Sequence, residues 1–205
     1  MASPTKKVFF SDYAFNIPEN VYEPAEDSFL FAENLTIRKD DAVLDMGTGC
    51  GILGIVSAKK ASKVLAVDIN PYAVLCAKEN AWLNGVSDKF FFLRCDLFSA
   101  ISVKERFDVI LFNAPYLPSQ SVDDDDSWLG CAWSGGVTGR RVIDRFIREA
   151  PKHLKQDGCI LLMQSTLSGL DRTLQRFEEN GLKAVIVAKC DLPFFETIVL
   201  VKAKR

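Results

Sequence analysis

The chain has 205 residues, 48% of them hydrophobic, with 25 basic and 27 acidic side chains and a formal charge of −2. That length suits one domain with a substantial core, expected over 1–205, and the charge balance gives no net attraction to a polyanion, so nucleic acid is a disfavoured partner. No apolar run approaches the roughly 18 residues that a membrane-spanning helix needs, and the opening MASPTKKVFF holds no long apolar segment, so a cytoplasmic protein is expected.

Short apolar runs alternate with helix-length segments, the pattern of a largely parallel sheet covered by helices on both faces. A helix is expected after Pro24 through AEDSFLFAENL, and the first strand at AVLDM, 42–46. A second helix follows Gly51, then a strand at KVLAV, 63–67. Asn70 can cap the next helix with Pro71 at its first position, and Gly85 closes it. Strands follow at FFFLR, 90–94, and FDVILF, 107–112, then a helix over about 140–153 and a strand at CILLMQ, 159–164. After a helix over 168–180 come KAVIVA, 183–188, and FETIVLVK, 195–202. The segment joining this last pair is short and contains Pro193, so the two form an antiparallel hairpin; a parallel partner needs a crossover of a dozen or more residues. The fold class is therefore α/β, with a seven-stranded, mostly parallel sheet ending in an antiparallel hairpin.

The six cysteines contain no CxxC pair and read as reduced thiols, most of them in apolar runs. His153 has no Cys or His close in sequence, so no metal site is expected. The four aspartates at 123–126 read as a solvated loop rather than a metal site.

Chemistry concentrates at strand ends. VLDMGTGCGILG places Asp45 at a strand end, followed by Gly47, Gly49 and Gly51 on the way into a helix. Glycines there permit positive φ and close approach of a ligand to the backbone. Gly49, Gly51 and Gly54 also satisfy GxGxxG, but a dinucleotide fingerprint begins directly at the strand end and this one starts three residues late. Read from the strand end, the pattern is D-x-G-x-G-x-G, whose spacing resembles the S-adenosylmethionine loop of seven-stranded methyltransferases.

Asp68 ends the next strand, 21 residues after Gly47, where a carboxylate can accept from both hydroxyls of a ribose. Its bland alternative is a role in capping the helix after Asn70. Asp96 ends the following strand, where it can accept from an adenine amino group. NAPY, residues 113–116, sits on the same carboxyl edge. Asn113 and the carbonyl of Ala114 offer two acceptors to one NH₂ group, Tyr116 can stack on the planar group carrying it, and Pro115 holds Ala114 extended. Such a site suits methylation of an amide-like or exocyclic nitrogen, and methyl transfer from a sulfonium needs alignment more than a strong base.

The order DMGTGCG, VDIN, CDLF, NAPY resembles the class I amino-methyltransferases, whose tetrapeptide is usually NPPY. VYEPAEDSFLF, 21–31, and AWSGGVTGRRVIDRFI, 132–147, narrow the resemblance to the archaeal and eukaryotic branch of the HemK-type protein glutamine N5-methyltransferases. It covers about Val21 to Lys202 and implies S-adenosyl-L-methionine as cofactor, with the segment 1–38 covering its site. The implied protein substrate is the GGQ glutamine of a class-1 translation termination factor.

By the same resemblance, Ser28 touches the cofactor, with Asn113 also within its reach. Asp45, Gly47 and Gly49 hold its methionine moiety, Asp68 its ribose, and Asp96 with Leu97 its adenine. Asn113, Ala114, Pro115 and Tyr116 form the catalytic tetrapeptide that receives the glutamine, and Arg140 or Arg141 lies near the protein substrate. The family further implies a small zinc-binding activator that shields an apolar edge. Ala114, where the family usually has proline, keeps the accepting carbonyl but gives the loop a backbone donor and some freedom. Three other readings compete: a nucleic-acid base methyltransferase acting on adenine N6 or guanine N2, a cofactor-binding scaffold without catalysis, and a nicotinamide oxidoreductase.

Overall fold

A computed structural model describes residues 5–119, 127–193 and 196–205. The aspartates at 123–126 lie outside the described residues. The elements, in chain order, are β1 (Thr5–Phe10), β2 (Tyr13–Pro18), α1 (Glu26–Glu33), β3 (Ala42–Met46), α2 (Ile52–Ala58), β4 (Lys63–Asp68), α3 (Pro71–Leu83), β5 (Phe90–Arg94), β6 (Phe107–Asn113), α4 (Trp128–Trp133), α5 (Ile143–Glu149), β7 (Leu154–Ser165), α6 (Leu170–Glu179), β8 (Lys183–Asp191) and β9 (Thr197–Lys204).

Seven strands form one sheet in the order β5-β4-β3-β6-β7-β9-β8. Pairing is parallel from β5 through β7, and antiparallel from β7 to β9 and from β9 to β8. The last pair is the expected hairpin. Strand order reverses between β3 and β6, so the carboxyl ends of β3, β4, β5 and β6 surround one crevice. All five residues of β3 are buried, as a central strand covered on both faces requires. One apolar cluster under the sheet includes Val43, Ile55, Val64 and Leu111; the other includes Leu44, Ile110, Phe146 and Leu162.

Three features differ from the sequence expectation. β7 begins at Leu154, five residues early, because its first turn is carried by the exposed polar residues Lys155, Gln156 and Asp157 rather than by an apolar run. A helix at Trp128–Trp133 was not expected; the side chain of Ser127 accepts from the Gly130 backbone N–H at 2.8 Å and starts it. The third is a separate two-stranded antiparallel sheet, β1 with β2, turning at Ser11, which has a φ of 51°.

That hairpin is joined to the core by asparagines of α3. Asn84 accepts from Ala14 N at 3.1 Å and donates to Ala14 O at 2.8 Å. Asn80 repeats the exchange with Asn16, accepting at 2.9 Å and donating at 3.1 Å, and also donates to the Cys50 carbonyl at 2.9 Å. The side chains thus replace a neighbouring strand along the backbone of β2. Asn70 caps α3 through Tyr72 N, as expected, and donates to Asn20 O at 2.7 Å. These bonds carry the chain from β2 across the crevice to α1.

Candidate active site

A cavity of about 680 Å³ opens at the carboxyl ends of β3, β4, β5 and β6. Its floor is the glycine loop after β3. Gly47, with φ of 61°, lies so close to the Phe112 ring that an added Cβ would stand 3.1 Å from it. Gly49 has φ of 56° and lines the cavity, and the nearest atom to an added Cβ would be the Gly47 carbonyl oxygen at 4.0 Å.

The loop is held from beneath. Asp45 is buried, accepts from Thr48 Oγ1 at 2.6 Å and Gly54 N at 3.0 Å, and does not line the cavity. Burial pushes its carboxyl up to about 7, with the two hydrogen bonds opposing the shift. The sequence placed Asp45 against a ligand; the structure places it one layer down, as the brace of the loop.

Asp68 does line the cavity. One carboxylate oxygen accepts from Gly49 N at 2.9 Å and the other from Asn70 N at 2.9 Å. Asp68 thus steadies the start of α3 while it faces the crevice. Each carboxylate oxygen keeps a further lone pair for a ligand hydroxyl. Burial raises its pKa, and the backbone donors pull the other way. Asp96 also lines the wall and pairs with Arg145 at 2.6 Å, leaving its other oxygen outside that ion pair. Next to it Leu97 adopts a φ of 48°, a left-handed conformation that is costly for a branched residue and is found in the cavity wall.

The tetrapeptide closes the far side. Asn113 Nδ2 donates to Asp27 Oδ2 at 3.0 Å and to Ser28 Oγ at 3.2 Å. Its Oδ1 is buried and has no hydrogen-bond partner among the described residues. Ala114 and Pro115 line the cavity beside it, and Tyr116 donates its hydroxyl to the same Asp27 Oδ2 at 3.2 Å. Burial, then the charge of Asp27, drives the Tyr116 phenol far above its ordinary pKa, so it remains a donor.

The segment from 132 onward is not a free loop. Leu117 N donates to Trp133 O at 3.0 Å, Gly135 N to Leu117 O at 2.8 Å, and Ser119 N to Gly136 O at 3.0 Å. Of the two arginines expected near a protein substrate, only Arg141 lines the cavity. Arg140 is buried, donating to Ser168 O at 2.7 Å, Gly169 O at 2.9 Å and Thr173 Oγ1 at 2.9 Å, and pairing with Asp144 at 2.7 Å. It ties the loop to the start of α6.

His153 is likewise internal, stacked on Phe98 with ring centroids 4.7 Å apart. Among the described residues no group of His, Cys, Asp or Glu is placed to hold a metal. Cys50, Cys76 and Cys159 are buried and the other three cysteines are half-buried, and none forms a disulfide among the described residues.

Residues 28–114, the stretch from Ser28 to the tetrapeptide, match the family model described as ribosomal protein L11 methyltransferase (PrmA). A Methanocaldococcus jannaschii protein assigned as a protein N5-glutamine methyltransferase is 48% identical over 181 residues, covering 88% of this chain and 90% of that one. The chain belongs to the protein N5-glutamine methyltransferase family. The methyltransferase HEMK2 of Homo sapiens is 30% identical over 177 residues, with 80% of each chain covered. Among solved structures, a chain of the E. cuniculi Mtq2–Trm112 complex, which is responsible for methylation of the termination factor eRF1, superimposes with a TM-score of 0.69 at 26% identity, covering 91% of this chain and 99% of that one.

For this N5-glutamine methyltransferase, the sequence missed Asp27 and Tyr22. Both lie in VYEPAEDSFLF, and Tyr22 donates to Asp27 Oδ1 at 3.2 Å. The available signal was a pair of acidic residues, Glu26 and Asp27, in the first turn of a helix; nothing local said that Asp27 reaches 86 positions ahead to Asn113. Trp128, Trp133 and Arg145 were also missed as cavity walls.

Proposed function

We propose that this methyltransferase acts on the side-chain amide nitrogen of the GGQ glutamine of a class-1 translation termination factor, with S-adenosyl-L-methionine as methyl donor, in the cytoplasm. The observation that carries the reading is Asn113: its Nδ2 is committed to Asp27 and Ser28, and its buried Oδ1, on a cavity wall, has no partner among the described residues. A buried acceptor left unpaired costs about 1–3 kcal/mol, a deficit that a substrate NH₂ group removes. The activity of the Mtq2–Trm112 complex, methylation of eRF1, supports the substrate.

The residues present fit the cofactor. The bare backbone at Gly49, the carboxylate of Asp68 on the wall and the 680 Å³ cavity suit an elongated ligand with a ribose. Gly47 and Gly49 would hold its methionine end, Asp68 its ribose, Asp96 and Leu97 its adenine, and Ser28 would border it; Asp45 acts on it only through the loop. When bound, it supplies a methyl group on a cationic sulfur.

The chain's own part is alignment. Asn113 Oδ1 and the Ala114 carbonyl accept from the two N–H bonds of the substrate amide, which holds its plane and turns the nitrogen toward the methyl donor. Pro115 restricts the backbone that aims the carbonyl, and Tyr116 packs on the amide plane.

A small activator protein fits the edge of the sheet. Among the described residues β5 has no strand on its outer side, and there Phe91 is 61% exposed; Trp82 on α3, which packs beside β5, is 75% exposed. An unpaired strand edge beside apolar side chains is the surface that a bound partner covers. Mtq2 was solved in complex with Trm112, in line with such a partner.

The test is transfer of labelled methyl to a termination factor carrying GGQ or GGA, by the chain alone and with an activator of the Trm112 type. Label on GGQ alone, lost with Asn113→Ala, is the expected result. Label on GGA as well, or label that persists in Asn113→Ala, overturns it.

A further inference from the structure

We infer that Asp27 is the positioning residue that sets which end of the Asn113 amide faces the substrate; the inference builds on the methyltransferase reading above. Asp27 is buried at 6% exposure, yet it forms no ion pair among the described residues. Instead its carboxylate collects five hydrogen bonds. Oδ1 accepts from Tyr22 Oη at 3.2 Å, Ser28 N at 2.6 Å and Ser28 Oγ at 3.1 Å; Oδ2 accepts from Asn113 Nδ2 at 3.0 Å and Tyr116 Oη at 3.2 Å.

The two ends of a side-chain amide differ only in chemistry, since NH₂ and oxygen are nearly the same size. Rotation by half a turn would put the NH₂ of Asn113 into the cavity, where it would repel the NH₂ of a glutamine. Sterics cannot decide between the two orientations, but a carboxylate can. An ionised carboxylate only accepts, so Asn113 must point Nδ2 at it and turn Oδ1 away. Ser28 reinforces the choice: its hydroxyl proton is spent on Asp27, so toward Asn113 its oxygen is an acceptor too. Charge-assisted bonds of this kind are about twice as strong as neutral ones.

The same Oδ2 holds Tyr116. One oxygen atom therefore fixes both tetrapeptide side chains relative to each other, and Tyr22 and the first turn of α1 hold that carboxylate from the other side. Asp27→Asn keeps the shape but supplies an NH₂ of its own, so the Asn113 amide no longer has a single preferred sense.

The experiment is to compare wild type, Asp27→Asn and Tyr22→Phe in two measurements. The first is methyl transfer to a GGQ termination factor, with kcat and KM separated and cofactor affinity measured by calorimetry. A misaligned acceptor is expected to lower kcat about 100-fold, with the dissociation constant of the cofactor changed less than about threefold; Tyr22→Phe, which leaves both Oδ2 bonds in place, should lose much less. The second is the side-chain amide signal of Asn113 in a nitrogen-15 correlation spectrum, identified by its absence in Asn113→Ala. Bonding to a carboxylate should place one amide proton downfield in wild type, and Asp27→Asn should bring it upfield.

An unmoved signal, or kcat within threefold of wild type in Asp27→Asn, overturns the inference. Wild-type protein that transfers no methyl to glutamine would instead count against the substrate reading, and the amide signal would then decide the orientation by itself.

Discussion

Gly139 stands so close to Tyr116 that a Cβ on it would collide with the Tyr116 carbonyl oxygen. The loop after α4 is thereby clamped onto the tetrapeptide, and its φ of 69° is one that only glycine takes without strain. Gly139→Ala must push Tyr116 or the loop aside. We expect at least a tenfold loss of methyl transfer and a lowered Tm, with cofactor affinity held within a few-fold because the glycine loop after β3 is untouched. A variant with wild-type turnover would show that the clamp is not needed to place Tyr116.

Asp45 predicts an unusual pH dependence. Its carboxyl is raised from 3.8 to about 7, so the folded state holds this proton more tightly than the unfolded chain does. Stability from this group is therefore full below about pH 4 and is lost as the pH rises through about 7. Asp45→Asn lacks the titration. Urea midpoints measured at pH 4.5 and 7.5 should move in favour of the variant, relative to wild type, at the higher pH. A difference between the two proteins that does not change with pH would rule out a raised Asp45.

Arg140 predicts a stability effect where the sequence suggested a substrate contact. Its buried guanidinium ties the loop to Ser168, Gly169 and Thr173 of the α6 start. Removing the charge strands three acceptors and Asp144, although Arg172 still reaches Asp144 at 3.3 Å. Arg140→Met should cost about 3 kcal/mol in urea unfolding, and the KM for the protein substrate should change little in whatever remains folded. A raised KM at undiminished stability would return Arg140 to the substrate surface.

Asn80 couples the hairpin to the glycine loop, because one side chain bonds Asn16 on β2 and the carbonyl of Cys50. Asn80→Ala leaves these backbone groups unpaired in a buried place and should cost about 2–3 kcal/mol. Amide exchange at Asn16 should quicken, and cofactor affinity should fall several-fold as the loop loosens. Unchanged exchange at Asn16 would mean that the hairpin is held by its apolar side, through Phe15 and Ile17.

The seven core strands, the terminal hairpin and the places of Asp68, Asp96 and the tetrapeptide at strand ends are legible along the chain. Each of these is written in local terms: apolar runs of strand length, glycines at a turn, an asparagine before a proline at a helix start. Spacing along the chain also carried the family resemblance. The β1–β2 hairpin and α4 were written more faintly, since neither has a long apolar run. Which side chains meet is set by the folded chain. Asp45 was read as facing a ligand and lies beneath the loop; Arg140 and Arg141 are adjacent, yet one is buried and the other lines the cavity. Asp27 finds Asn113 and Tyr116 only once α1 is laid across the crevice by the asparagines of α3. A hydrogen-bond partner is fixed by the path of the backbone across the sheet, and that path depends on packing summed over the whole core rather than on the residues beside either partner.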